Sequence, residues 1–359
     1  MKIKTLTLTA GLLLSALTAS SQGISAPYQP GVTQDAVSYW LPKTQITVTV
    51  TAQKQIFKPG EFSRYAERYL RLNDVKDKAE EVWTITNVQI SETGIPDKDK
   101  LYTLSFPSKG NRPYIELTND GILSAVNVSV KEQASQTTPA PVKDKEKKIN
   151  PQEYMTEEIL MAGSTAKMAE LTAKEIYNIR ESRNAITRGQ SDYAPTDGES
   201  LKYMLESLSA QETALLTLFN GTRETEDVTF TINVTPEESI SKQILFRFST
   251  KLGVLPIDNL AGEPVWIDIT DRKMTEGYGV NASKQKKSSG KKDSPFLYYR
   301  IPGRAFVKIY NNRISFVEQD IQIAQFGKVE VVSSTIMGKN ADTKITFDTT
   351  TGNVKGINE

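Results

Sequence analysis

The chain has 359 residues, of which 38% are hydrophobic and 24% are charged, so it can hold two ordinary domains. Its formal net charge of +1 gives no overall field for nucleic acid or for an acidic membrane surface. It contains no histidine and no cysteine, which excludes disulfide bonds, Ser-His-Asp and Cys-His catalysis, and the usual zinc sites. We therefore expect no cofactor, no nucleic-acid partner and no catalytic residue of these classes.

The N-terminus has the pattern of a signal peptide over residues 1–21. Lys2 and Lys4 precede an apolar run over residues 6–17, and small residues lead up to Ser21. The apolar run falls short of the roughly 20 residues that a spanning helix needs, and no later stretch is apolar enough. We expect cleavage after Ser21 and an exported mature chain, in the periplasm or at the cell surface, without a transmembrane segment.

Residues 22–130 are predicted to form an N-terminal β domain with one short helix. Over residues 45–51, isoleucine and valine alternate with threonine and glutamine, which is typical of a strand with one buried face. Further strands are predicted at 81–90 and 101–106, with a polar turn at 97–100 and a hairpin at 114–128. Aromatic and apolar residues recur at helical spacing over 62–70, and we expect this face to pack on a sheet.

Residues 131–153 are rich in proline and lysine, which indicates a linker or flexible loop. Residues 154–221 are then predicted to form a helical hairpin, with helices around 168–188 and 198–219. This is the one long stretch with helical periodicity. Elsewhere apolar and polar residues alternate, as they do in β proteins. We expect the helical stretch to determine how the β parts lie against each other.

One charged residue breaks the apolar face of the second predicted helix. Counted from Leu201 at 100° per residue, Glu212 points into the middle of that face. Burying a lone carboxylate is costly, and the first helix offers Arg180 and Arg183 as partners. We therefore predict a structural ion pair between Glu212 and one of these arginines, which would set how the two helices align.

Residues 222–359 return to the strand pattern and are predicted to form a C-terminal β domain. At least seven short strands are separated by regular turns, without the alternation of strands and helices that parallel sheets need. The predicted fold is mainly β with an α-helical hairpin (α+β), in which two antiparallel β-sandwich-like modules are joined by a two-helix segment. Whether the two β parts form one domain or two is left open by the sequence.

Several stretches resemble an uncharacterised family of exported Bacteroidetes proteins, domain-of-unknown-function family 4831. The resemblance covers most of the mature chain and is carried by residues 37–44, 58–70, 179–183, 195–199, 212, 218–221 and 245–249. It implies the envelope of a Gram-negative bacterium and implies no catalytic residues. In that setting Asp348-Thr349-Thr350 is similar to an O-glycosylation triplet, so Thr349 is a candidate glycosylation site.

The leading functional interpretation is a non-enzymatic exported cell-envelope protein that acts in binding or assembly, with another envelope protein or a glycan as partner. One alternative is a carbohydrate-binding module, in which Trp40, Trp83 or Trp266 would stack on sugar rings. Each tryptophan lies in or beside a predicted strand, so packing in the protein core is the competing explanation.

A second alternative is a carboxylate-based glycoside hydrolase. It would need two carboxyl groups about 5–9.5 Å apart in a cleft. The candidates close in sequence are Glu263, Asp268 and Asp271. An all-oxygen Ca²⁺ site at Asp97 and Asp99, or at Asp268 and Asp271, is also chemically conceivable, although neither pair has the spacing of an EF-hand loop. We assign no catalytic or metal-binding residue.

Overall fold

The fold was obtained as a computed structural model, which describes residues 24–28, 36–106, 112–130, 150–190, 198–275, 295–333 and 343–358. The strands are β1 (Ile24–Pro27), β2 (Ala36–Lys58), β3 (Glu80–Ser105), β4 (Ile115–Leu117), β5 (Leu123–Val126), β6 (Thr222–Val234), β7 (Ile240–Ser249), β8 (Gly253–Leu255), β9 (Glu263–Asp271), β10 (Pro295–Tyr310), β11 (Ser315–Ser333), β12 (Lys344–Phe347) and β13 (Val354–Asn358). The α-helices are α1 (Ala66–Leu70), α2 (Glu157–Leu160), α3 (Thr165–Thr187) and α4 (Gly198–Asn220). The predicted signal peptide (1–21), residues 131–149 of the predicted linker and the lysine-rich residues 282–293 lie outside the described residues.

Two long antiparallel ribbons organise the β part of the molecule. The first pairs β2, of 23 residues, with β3, of 26 residues, along almost their whole length. The second pairs β10, of 16 residues, with β11, of 19 residues. At about 3.3 Å per residue, β2 alone spans roughly 75 Å, which is several times the length of an ordinary strand.

The strands form three antiparallel sheets. Sheet 1 has the order β1-β3-β2-β6, sheet 2 the order β11-β10-β9-β7-β8, and sheet 3 the order β13-β12-β5-β4. Sheet 1 adds β6, which follows the helical stretch, to strands that precede it. Sheet 3 joins β4 and β5 to β12 and β13 from the far end of the chain. The mainly β fold is confirmed.

The arrangement of its β parts differs from the predicted one. Because sheets 1 and 3 both combine strands from before and after the helical stretch, these parts do not form separate modules.

Each ribbon contributes to two hydrophobic cores. The first core lies between sheets 1 and 2 and includes Val48 of β2, Ile267 of β9 and Val307 of β10, all fully buried. The second core lies at the other end of the ribbons, where Tyr39 of β2 and Leu104 of β3 pack with residues of β5, β10, β11 and β12. Along β2 the buried positions change from odd numbers, at Tyr39 and Leu41, to even numbers from Pro42 onward, so the alternation shifts by one residue between the two cores.

The helices form a third core beyond the end of β2. Residues of α3 and α4 pack with Phe62, Ala66 and Leu70 from the short helical segment after β2. The rings of Phe62 and Phe219 lie 5.5 Å apart between centroids. The aromatic face at 62–70 was expected to pack on a sheet, and it packs on the helical pair instead. The reason is that Gly60 lets the chain turn tightly against the backbone of α4 at Leu218, and the Phe62 N–H donates to the Leu218 carbonyl at 2.7 Å.

Two finer features of the chain also follow from these elements. The last residues of the predicted linker form a 3-10 turn, Pro151–Tyr154, in which Tyr154 packs on the helical core. None of the helices in the described part of the chain is long and apolar enough to cross a membrane.

The shared ribbons predict that the two β cores unfold together. We expect Ile267→Ala, in the first core, and Leu104→Ala, in the second, each to lower the free energy of unfolding by about 2–5 kcal/mol. Both variants should lower the midpoint of one common thermal transition, measured by calorimetry. Two β transitions, of which each variant shifts only one, would contradict the coupling.

Candidate functional site

Both ribbons are irregular at the level between the two β cores. The pairing of β2 with β3 shifts between Trp40 and Pro42, and the pairing of β10 with β11 shifts between Ile301 and Gly303. Bulges free side chains and backbone groups from the regular ladder and often lie next to functional sites. Here they surround a group of polar residues that we call the polar junction: Lys43, Thr44, Asp97, Arg300 and Gln325.

The charged half of the polar junction is a buried ion cluster. Asp97 and Arg300 are only 2% and 5% exposed, and the Arg300 Nη2 donates to Asp97 Oδ2. The Lys43 Nζ lies 3.5 Å from Asp97 Oδ1 and 2.9 Å from Glu237 Oε1. Burial lowers the pKa of Arg300, and the Asp97 carboxylate opposes that effect. The hydrogen bond to Glu237 raises the pKa of Lys43. Two cations therefore compensate the buried carboxylate.

The neutral half of the polar junction ties four segments of the chain together: β2, β11, the residues after β6 and the turn between β12 and β13. The Thr44 N–H donates to the Gln325 Oε1 at 2.9 Å, and the Gln325 Nε2 donates to the carbonyls of Thr44 at 3.0 Å and Pro236 at 2.8 Å. The Thr44 hydroxyl donates to the Thr350 carbonyl at 3.1 Å and accepts from the Ala324 N–H at 2.9 Å. The Gln325 side-chain amide thus bridges Thr44 and Pro236 just beyond Ile46 and Val234, where the backbone pairing of β2 with β6 ends.

The polar junction corrects the predicted polar turn at residues 97–100 and bears on the calcium alternative for two of these residues. Residues 97–100 were expected to form a polar turn, yet β3 continues through them as a strand. The calcium hypothesis for Asp97 and Asp99 also finds no support in the geometry. Arg300 and Lys43 already engage the Asp97 oxygens, while Asp99 is exposed and its N–H donates to Asp97 Oδ1. Within the described residues, no group of three or more acidic side chains is placed to hold a metal ion.

Glu212 lies between α3 and α4 and is 8% exposed. Its Oε1 accepts from the Arg180 Nε at 2.6 Å, and its Oε2 accepts from the Arg183 Nη1 at 2.6 Å. One arginine was expected, and the structure places both on the carboxylate. Residues 180 and 183 lie on the same face of α3 because they are three positions apart, so the carboxylate bridges them.

The three tryptophans are all partly buried and lie in separate places. Trp83 is covered on one ring face by Gly253, where a Cβ atom would come within 2.9 Å of the ring, and the Lys54 Nζ lies 5.5 Å from its centroid. The Trp40 N–H donates to the Gly121 carbonyl at 2.9 Å. Trp266 lies on the outer face of sheet 2 beside Tyr310, with ring centroids 5.7 Å apart. The structure does not bring them together into one stacking site.

The carboxylates considered for hydrolysis do not face each other. The Asp268 side chain lies on the opposite face of β9 from Glu263 and Asp271, because it is five positions from one and three positions from the other. Glu263 and Asp271 share a face but lie roughly 26 Å apart along the strand. Asp268 accepts from the Lys242 N–H at 2.6 Å, and Asp271 accepts from the Lys273 N–H at 2.8 Å. These groups organise turns and do not form a catalytic pair.

Thr349 lies in the tight turn between β12 and β13 and is half-buried. Asp348, the first residue of the triplet, accepts from the N–H groups of Thr350 and Thr351 at 2.8 and 2.9 Å. Burial raises the pKa of Asp348, but these hydrogen bonds and Lys355 outweigh it, so the pKa is lowered overall. The turn therefore accounts for an aspartate here, and the glycosylation of Thr349 stays a prediction.

The outer face of sheet 1 carries a regular field of uncharged polar residues. Strand pairing aligns β3, β2 and β6 so that three rows of three residues cross the sheet, and we call these nine residues the polar lattice. The rows are Ser91–Thr47–Asn233, Gln89–Thr49–Thr231 and Asn87–Thr51–Thr229. The members on β2 are half-buried by their neighbours, and the six on β3 and β6 are exposed.

Sequence reasoning found only the middle column of the polar lattice. It placed Thr47, Thr49 and Thr51 on the outer face of one strand, which the structure shares. The flanking columns come from strands that are distant in sequence. The only sequence signal for the flanking columns is that residues 84–91 and 228–235 contain no charged residue.

We predict that the polar junction depends on its charge pairing. Arg300→Met leaves the Asp97 carboxylate buried with a weakened set of partners and should lower the free energy of unfolding by about 3–5 kcal/mol. The double variant Asp97→Leu/Arg300→Met should lose less, because no uncompensated charge remains. Chemical denaturation measures both, and a double variant less stable than Arg300→Met would contradict this account.

A second prediction concerns the helical pair. Arg180→Met/Arg183→Met should cost about 3 kcal/mol of stability, because Glu212 is held in the interior without its donors. Glu212→Met should cost roughly 1 kcal/mol, since the arginine side chains, about a third exposed, can turn to water. Urea denaturation followed by circular dichroism compares the variants. If Glu212→Met lowered the free energy of unfolding as much as Arg180→Met/Arg183→Met does, the cost would not come from leaving a buried carboxylate without donors.

The family described as Domain of unknown function (DUF4831) matches residues 35–355, which is most of the chain and includes both β cores and the helical pair. No curated protein and no solved structure matches the chain. The chain therefore belongs to the family described as Domain of unknown function (DUF4831).

Proposed function

We propose that the protein is a non-enzymatic, exported component of the cell envelope that acts by binding another envelope protein or a glycan. The observation that carries this proposal is how the structure uses its charged residues. The buried charges bond to one another, as Asp97 does to Arg300 and Glu212 to Arg180 and Arg183. The carboxylates that could have formed a hydrolytic pair lie either on opposite faces of β9 or roughly 26 Å apart along it, so the geometry favours binding over catalysis.

The proposed location rests on the sequence. The positive, apolar and small-residue order of the first 21 residues is typical of a secretory signal. The resemblance to exported Bacteroidetes proteins supports a Gram-negative envelope.

Export has a direct test. The full chain with a C-terminal tag, expressed in a Bacteroidetes host, should be recovered from the envelope fraction with Gln22 as its first residue. Lys2→Glu/Lys4→Glu removes the positive charge before the apolar run and should lower the exported fraction. Recovery of the unmodified protein in the cytoplasm with Met1 retained would contradict the proposal.

Binding is tested by cross-linking in the same host and identifying what co-purifies. We expect a reproducible envelope protein or glycan at near-stoichiometric yield. The control is a pair of envelope proteins already known to interact. Recovery of the chain without any partner, under cross-linking conditions that capture the control pair, would contradict a binding role.

We further propose that Thr349 is glycosylated in such a host. The intact mass of the native protein should exceed the mass of the processed chain, and Thr349→Val should abolish the difference. A mass equal to that of the unmodified processed chain would exclude modification at this site.

A further inference from the structure

The polar lattice is unusual for a solvent-facing sheet surface. Exposed faces of soluble proteins commonly carry about 25–35% charged residues of both signs. The outer face of sheet 2 follows this rule, since Asp268, Lys308 and Glu318 form a row across three of its strands. In the polar lattice all nine residues are threonine, serine, asparagine or glutamine. The absence of charged residues therefore distinguishes the polar lattice on sheet 1 from the outer face of sheet 2.

Strand propensity does not account for the composition. Threonine favours strands, which would explain Thr49 or Thr231. Asparagine is depleted in strands, yet Asn87 and Asn233 occupy exposed positions at the two ends of different rows. What the members share is an uncharged group that both donates and accepts hydrogen bonds.

The spacing of the polar lattice is set by the sheet. Neighbouring strands lie about 4.8 Å apart, and successive outward residues of one strand lie about 6.8 Å apart. Partners in a row are close enough to bond, as the Thr47 hydroxyl does to the Asn233 Oδ1 at 3.1 Å. The surface thus presents hydrogen-bonding groups on a repeating grid, with the charged residue Asp227 beyond one edge, where Gln53 bonds to it at 3.0 Å.

A ligand for this surface must itself be neutral, extended and rich in hydroxyl groups. A charged polymer would lose hydration of its charges without finding a counter-charge among the nine residues. An apolar partner would leave their hydroxyl and amide groups unpaired. We propose that the polar lattice binds a neutral polysaccharide, whose repeated hydroxyls match the repeated donors and acceptors of the three strands. This inference rests on the proposed binding role and names its ligand class and its site.

Affinity electrophoresis of the mature chain tests the inference. Migration should be retarded in gels that contain a soluble neutral glucan or mannan, and should not be retarded by the acidic polymer polygalacturonate. Thr49→Lys and Thr231→Lys place an ammonium in the central row and should weaken the retardation roughly tenfold, which corresponds to about 1.4 kcal/mol.

The matched control is Thr270→Lys, which makes the same substitution at an exposed position on the outer face of sheet 2. Each added lysine raises the net charge by one and changes the mobility by itself. The ratio of mobilities with and without the polymer should therefore be the same for Thr270→Lys as for the unchanged chain. Thermal denaturation of all three variants verifies folding, and Thr49→Val, which keeps the shape and removes the hydroxyl, gives a second measure at the central position.

Three results would overturn the inference. The first is equal migration of the unchanged chain with and without the neutral polymers. The second is retardation that Thr49→Lys, Thr231→Lys and Thr49→Val all leave unchanged. Dimerisation in sedimentation experiments that Thr49→Lys abolishes, without retardation, would assign the surface to a second copy and also overturn it. Each result leaves the export and cross-linking experiments to decide the proposed function separately.

Discussion

The fold depends on two β ribbons that each pass through both β cores. A strand such as β2 must present Tyr39 to one core and Val48 to the other without a break in the chain. Sheets twist, so a ribbon of this length cannot stay in regular pairing with the same neighbours throughout. Bulges near Pro42 and Gly303 take up the mismatch, and the backbone groups they release need partners in the interior. The polar junction supplies those partners, and for that reason it lies between the cores.

The protein thus separates its polar residues into two populations with different uses. Charged residues in the interior, such as Asp97 and Arg300, compensate one another and hold segments that are far apart in sequence. Uncharged polar residues on sheet 1 remain at the surface in rows set by strand pairing. The second population forms the polar lattice, the surface that we propose binds a neutral polysaccharide.

The sequence predicted those parts of the site whose signals are local. Glu212 could be recognised as misplaced because helical periodicity needs only the residues of its own helix, and Arg180 and Arg183 lie on the adjoining one. Asp97 could not be recognised in the same way. It looks like a turn residue beside Lys98 and Asp99, and its compensating partner, Arg300, is separated from it by 203 residues. The columns of the polar lattice that flank Thr49 were out of reach for the same reason.

The sequence by itself determined the β class, the helical pair and the chemistries that a chain without histidine or cysteine cannot use. These follow from composition and from periodicities that span a few residues. Only the tertiary structure decided that β6 joins β2 and that β12 joins β5, so that the strands on either side of the helices share sheets. Many strands of this chain have similar alternating patterns, so the pattern of one strand does not say which other strand it pairs with. That choice depends on register and on packing between the sheets. The polar lattice exists only through that pairing, since no single segment contains it.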